Sequence, residues 1–193
     1  MPVKKIVPNE RPKMSESQVK DILARSNVFV GRQAPDDKPL ALVGIRGYYK
    51  KTMGATPENE LNIYDDCLCV LSPSVYATFN ANTDPSYSRR GMAVLVPGCY
   101  QYGLGVHRGQ KAQYNAIVQV GAVTVLRDGL GEVSDSPPTR RFGINIHKGG
   151  FTNTSSEGCQ TIFPGQWEAF YALVAAECAR YKVTRFPYVL IEE

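Results

Sequence analysis

A chain of 193 residues with 43 % hydrophobic and 21 % charged residues has the balance of one cored globular domain, which excludes a disordered chain. No apolar run approaches the roughly 18 residues that a membrane span needs, so no membrane partner is expected. The net charge of +4 favours approach to a polyanion, but no basic stripe with interleaved aromatics points to nucleic acid.

The N-terminal MPVKKIVPNERPKM has two lysines with no apolar stretch behind them, so it lacks the parts of a secretory signal peptide and synthesis in a cytoplasm is expected. Residues 1–14 read as an extended arm punctuated by Pro2, Pro8 and Pro12, and 15–193 as a single domain. Ser15 with Gln18 predicts a capping box. Val19, Ile22 and Leu23 then share one face of a short helix ending near Asn27.

From Val28 to His147 the texture changes to short strands between turns: CLCVL, VYATF, MAVLV, YNAIVQV, AVTVL and FGINIH. The expectation is an antiparallel body, sandwich-like or barrel-like, with Ser134 to Arg141 as a surface loop around Pro137 and Pro138. After Pro164 the period becomes helical through Trp167, Phe170, Tyr171, Val174, Cys178 and Tyr181, and FPYVLIEE returns as a last strand. Five cysteines without a signal peptide suggest reduced thiols. Cys67 and Cys69 read as small core residues on one strand face, and Cys178 as part of the buried helical stripe.

The chemistry concentrates in FGINIHKGGFTNTSSEGCQTIF, residues 142–163, where a strand enters a loop of Gly, Ser, Thr and Asn before Cys159. A thiol attacks a carbonyl as thiolate, which calls for a nearby base and for donors to the developing oxyanion. Gly158 before Cys159 suits a turn that aims the Cys159 amide, with its neighbour's, at such an oxygen. His107 and His147 are the two histidines, and Cys159 lies twelve residues beyond His147, a loop length that can double back. Glu157 either orients His147 or is a solvated loop residue. His107, in YGLGVHRGQ, either lines the same cleft or sits in an exposed turn. Asn145 is expected on the strand face opposite His147, where it serves the fold or a hydrogen bond.

His147-Lys-Gly149-Gly150 followed by Ser156-Glu-Gly158-Cys159 resembles the active-site signature of the L,D-transpeptidase (YkuD-like) family. There a histidine precedes a Ser/Thr-His-Gly-Cys element. The resemblance implies a mainly β fold, an L,D-transpeptidase-like β-sandwich with a short N-terminal and a C-terminal helix. It further implies Cys159 as nucleophile, His147 as base, Gly158 and Cys159 as oxyanion donors, and Ser156, Glu157, Gln160 and His107 as substrate contacts. The implied substrate is a peptidoglycan stem peptide containing D-amino acids with meso-diaminopimelate or lysine. No cofactor, metal, nucleic acid or membrane partner is implied, and a monomer is expected.

The chain departs from the signature in a slightly short His-to-Cys spacing, in Glu157 where histidine stands, and in Gln160-Thr161 after the cysteine. Arg127, Arg140 or Arg141 could serve as carboxylate partner in place of the arginine usual there. Cytoplasmic synthesis of a wall enzyme suits a bacteriophage endolysin that acts in the periplasm or cell wall after release. Two other readings stay open: a zinc hydrolase using His107, His147 and either Cys159 or Asp128, and a non-catalytic wall-binding or virion structural module.

Overall fold

The computed structural model describes residues 5–31, 38–49, 59–109, 113–127 and 143–193, and the backbone of 131–135. The expected loop at Ser134 to Arg141 lies largely outside these residues, as do Arg140, Arg141, Asp128 and the first four residues of the arm.

Helix α1 (Glu16–Arg25) begins as the sequence predicts. The Gln18 amide donates to Ser15 Oγ at 3.3 Å and the Ser15 amide to Gln18 Oε1 at 2.9 Å. These two bonds satisfy donors that a helix start otherwise leaves bare. The strands follow in chain order as β1 (Ala41–Arg46), β2 (Asp66–Leu71), β3 (Tyr76–Asn82), β4 (Ala93–Leu95), β5 (Gly98–Arg108) and β6 (Gln113–Gln119). Then come β7 (Val123–Arg127), β8 (Gly131–Asp135), β9 (Ile146–Lys148), β10 (Gln160–Ile162), α2 (Pro164–Tyr181) and β11 (Phe186–Glu192).

Eight strands close into a barrel in the order β1-β11-β5-β6-β9-β10-β3-β2, and β4-β7-β8 form a small second sheet. The protein is thus mainly β with two helices. The sheet differs from the antiparallel expectation, because β1 runs parallel to β11 and β9 runs parallel to β10. It also differs from a sandwich of two facing sheets, because the large sheet closes on itself.

Two apolar layers explain the closure. Leu42, Leu68, Val70, Phe79, Tyr102, Ile117, Ile146 and Tyr188 pack together with the α2 stripe Trp167, Phe170, Val174 and Cys178. On the opposite face of β1 and β2, Ala41, Val43, Ile45, Cys67 and Cys69 pack against Val19, Ile22 and Leu23 of α1. Both strands are therefore buried on both faces and read as continuous apolar runs instead of alternating ones. The arm runs over the outside, its carbonyls taking barrel side chains: Thr78 Oγ1 donates to Pro12 O at 2.6 Å and Tyr49 Oη to Glu10 O at 3.1 Å. Side-chain donors replace the ladder that prolines in the arm would interrupt.

A polar network lies inside this apolar frame. Arg46 pairs with Asp84 at 3.0 Å and donates through Nη2 to Thr83 O and Leu95 O, each at 2.9 Å. Asp66 accepts from the Gly47 and Thr83 amides at 2.6 and 2.5 Å. Together these bonds pin the chain where it leaves β3 toward the cleft. Burial raises the carboxyls of Asp65, Asp66 and Asp84, most plainly Asp65, which it moves from 3.8 to about 7. A raised carboxyl leaves the folded state protonated where the unfolded chain has ionised, so Asp65 costs stability as pH rises from 3.8 through about 7. Asp65→Asn keeps an acceptor for the Glu60 amide and removes that titration. Its Tm advantage over the wild type is expected to widen between pH 4 and pH 8 in thermal melts, and a pH-independent difference would count against this account.

Candidate active site

Parallel pairing of β9 and β10 builds the site. The register Gln160↔Ile146 and Thr161↔His147, with the Gln160 amide donating to Asn145 O at 2.8 Å, sets Cys159 beside Asn145. His147 then follows two residues on, and alternation along a strand turns Asn145 and His147 to one face. The Asn145 amide donates to Cys159 Sγ at 3.4 Å, and the thiol donates to Gly143 O at 3.2 Å. A ring nitrogen of His147, one of His107 and the Cys159 sulfur lie within 4.8 Å of one another.

The connecting loop doubles back because its backbone is tied to the barrel. Thr154 donates its amide to Asn62 Oδ1 at 2.8 Å, and Ser86 and Ser156 exchange two 2.8 Å bonds. Small residues are needed there for close approach: a Cβ on Gly149 would lie 2.0 Å from Tyr64 Oη. At Gly158, with φ of +134°, it would lie 2.5 Å from Ala93 O.

His147 is oriented by a backbone carbonyl. Its Nδ1 lies 2.8 Å from Lys148 O, and only an N–H makes a hydrogen bond with a carbonyl oxygen, so the neutral ring keeps its lone pair on Nε2. Tyr114 Oη lies 3.0 Å from the same Nδ1. The Gln119 amide donates to Asn145 Oδ1 at 3.1 Å, which fixes that amide's orientation and makes its Nδ2 the donor to His107 Nδ1 at 3.2 Å. His107 in turn stacks on His147, with centroids 4.2 Å apart and planes at 22°.

His147 is buried and Cys159 half-buried beneath the cleft, and burial disfavours the charged form of both. Burial, helped by the neighbouring His107, lowers His147 to about 4. Burial raises the Cys159 thiol to about 11, with the Glu157 carboxylate adding to the rise and the Asn145 amide opposing it. At neutral pH these shifts favour a thiol beside a neutral imidazole, with the thiol proton given to Gly143 O.

A cleft of about 930 Å³ opens over these groups, bordered by Ser86, Tyr87, Arg108, Tyr114, Arg127 and Glu157 among others. The structure brings His107, His147, Gly158 and Cys159 together, and places His107 on strand β5 instead of in a turn. One expected contact is corrected. Gln160 is fully buried, donating to Thr83 O at 3.3 Å and accepting from Tyr188 Oη at 3.1 Å, so it belongs to the barrel interior. Ser156 borders the cleft, but its hydroxyl donates to Cys159 O at 2.6 Å and accepts from the Gly158 amide at 3.0 Å. It braces the turn that carries Cys159. That second bond also occupies the Gly158 amide, whereas the Cys159 amide lies outside β10 and shows no hydrogen bond among the described residues. Glu157 accepts from Tyr87 Oη at 2.8 Å on the rim, while Lys148 O orients His147.

Tyr114, Asn145 and the Lys148 carbonyl are site groups that sequence reasoning did not single out as such. Their role comes from strand register, and Asn145, expected on the face opposite His147, instead shares its face because two residues complete one strand period. Comparison of the chain with protein-family models, curated proteins and solved structures finds no match.

The raised thiol predicts slow modification at neutral pH. Alkylation of Cys159 by iodoacetamide, followed by peptide mapping, is expected to accelerate still between pH 9 and about 11. A rate already at its plateau by pH 7 would contradict a neutral resting pair.

Proposed function

We propose that this chain is a cysteine peptidase or transpeptidase acting on peptidoglycan stem peptides, of the phage lytic type, on a divergent L,D-transpeptidase-like fold. The observation that carries the reading is the half-buried Cys159 thiol at the cleft floor, clustered within 4.8 Å with an imidazole whose Nδ1 is held by a backbone carbonyl. In this mechanism the Cys159 sulfur bonds to the substrate carbonyl carbon as the thiol proton passes to His147 Nε2. The Cys159 amide holds the oxyanion, and His147 returns the proton to the departing amine as the C–N bond breaks. Water or an acceptor amine then resolves the thioester. Arg108 and Arg127 on the cleft wall and Glu157 on its rim suit a peptide bearing free carboxylates and an ammonium, as a diaminopimelate stem does. Arg127 is braced for this by its Nη1 bond to Gly91 O at 2.6 Å.

The proximity of two histidines to the thiol also favours a second reading, a zinc hydrolase. Chelation separates the two, since a thiol enzyme keeps its activity in EDTA and a zinc hydrolase loses it.

The direct test is mass spectrometry of muropeptides after digestion of Gram-negative sacculi. New stem-peptide products are expected from the wild type and none from Cys159→Ala, with a loss of about 10²-fold or more in His147→Ala. No products from the wild type, or the same products from Cys159→Ala, would refute the proposal. With His147 lowered to about 4, the base is free at neutral pH and is lost only as pH falls through about 4, which places the acid limb of kcat/KM there. An acid limb near the ordinary histidine range would show that His147 is not the buried base.

A further inference from the structure

A thiol mechanism needs one imidazole, and His147 supplies it, yet a second ring is built into the same spot. His107 comes from β5, separated from β9 by β6, and is held by Asn145 Nδ2 while stacking on His147. Two imidazoles and a thiol with ligand atoms inside 4.8 Å form an N₂S donor set, and among the described residues no other group of three metal-ligating side chains comes so close. That set suits a borderline-soft ion such as Zn²⁺, whereas hard cations prefer oxygen.

We propose that His107, His147 and Cys159 bind one Zn²⁺ ion, and that the bound ion reversibly silences the Cys159 nucleophile. The inhibitory half rests on the peptidase reading above; the binding half does not. Binding balances as Zn²⁺ plus one thiol and two neutral imidazoles giving a complex of charge +1 and one released proton. The thiolate lone pair is then held by the metal, and His147 Nε2 is no longer available as a base.

The required movement is small. Bonds of about 2.0–2.3 Å at tetrahedral angles put ligand atoms roughly 3.3–3.6 Å apart, so the present spacing closes by roughly one ångström. Stacked rings point their lone pairs along near-parallel planes, so one ring must turn. His107 is the half-exposed one and borders the open cleft. Its Nδ1 lone pair now accepts from Asn145, and the metal bond replaces that hydrogen bond. The fourth position faces the cleft and takes water.

The test uses the full chain freed of metal by chelator and titrated with Co²⁺, then with Zn²⁺. One equivalent of Co²⁺ is expected to produce a near-ultraviolet thiolate-to-cobalt charge-transfer band that Zn²⁺ bleaches. Cys159→Ser should abolish the band, His107→Gln should weaken binding by at least about tenfold, and Cys99→Ser, which changes the exposed thiol, should leave it intact. Circular dichroism identical to the wild type shows that each variant is folded. Stem-peptide release should stop at one equivalent of Zn²⁺ and return with EDTA. No band in the wild type, a band kept in Cys159→Ser, or affinity unchanged in His107→Gln would overturn the site. Release that requires Zn²⁺ would overturn the inhibitory role together with the thiol mechanism. The band without release under any condition would support the site and remove the peptidase reading.

Discussion

The parallel register between β9 and β10 is the constraint on which the cleft depends. A chain that returns parallel to itself needs a crossover, and here a loop of small residues supplies it within the span from Gly149 to Cys159. Slipping that register by one residue would turn Asn145 and His147 to the other face of the sheet and leave the thiol against apolar core. The fastenings that prevent this lie outside the two strands. Arg46, Asp66 and Asp84 hold Thr83; the chain then runs to Ser86; and Ser86 and Ser156 tie the segment to the nucleophile turn. Buried charge inside the barrel is thus connected covalently and by hydrogen bonds to the geometry of the thiol.

Burial sets the resting charge state of the site. In water a cysteine and a histidine differ by little more than two pKa units, and an opposite charge nearby would bring them closer. Here burial drives them apart, to about 11 and about 4, so an ion pair is not the resting state. The same low dielectric strengthens the hydrogen bond that the Asn145 amide donates to the Cys159 sulfur. A divalent ion is an alternative source of positive charge in such a place, which is why one arrangement of side chains serves both the thiol mechanism and the proposed zinc site.

How far each element was legible follows from what held it together. Helix α1 was readable because its cap and its apolar triplet are local, and α2 because its buried stripe repeats over about three turns from Trp167 to Cys178. Strand β5 is the longest of the sheet but was not among the predicted strands, since Gly98, Gly103 and Gly105 dilute its pattern. Strand β10 is three residues long and exists through its partners β3 and β9, which no local window contains. The choice between sandwich and barrel stayed open, and the parallel pairs were hidden, for the same reason: these are long-range pairings between strands of similar composition.

By itself the sequence determined that this is a mainly β, cored domain with two amphipathic helices, and that Gly158-Cys159 follows His147 by a loop able to double back. These are consequences of composition, periodicity and chain length, each readable within a short window. Tertiary structure decided which groups share the cleft. It carried His107 in from another strand, gave the orienting role to the Lys148 carbonyl instead of Glu157, turned Gln160 inward and used Ser156 as a brace. The physical reason is that a side chain's role at a site depends on the direction in which it points and on what has already claimed its hydrogen bonds. Both are set by strand register and barrel closure, which arise only when distant segments pair.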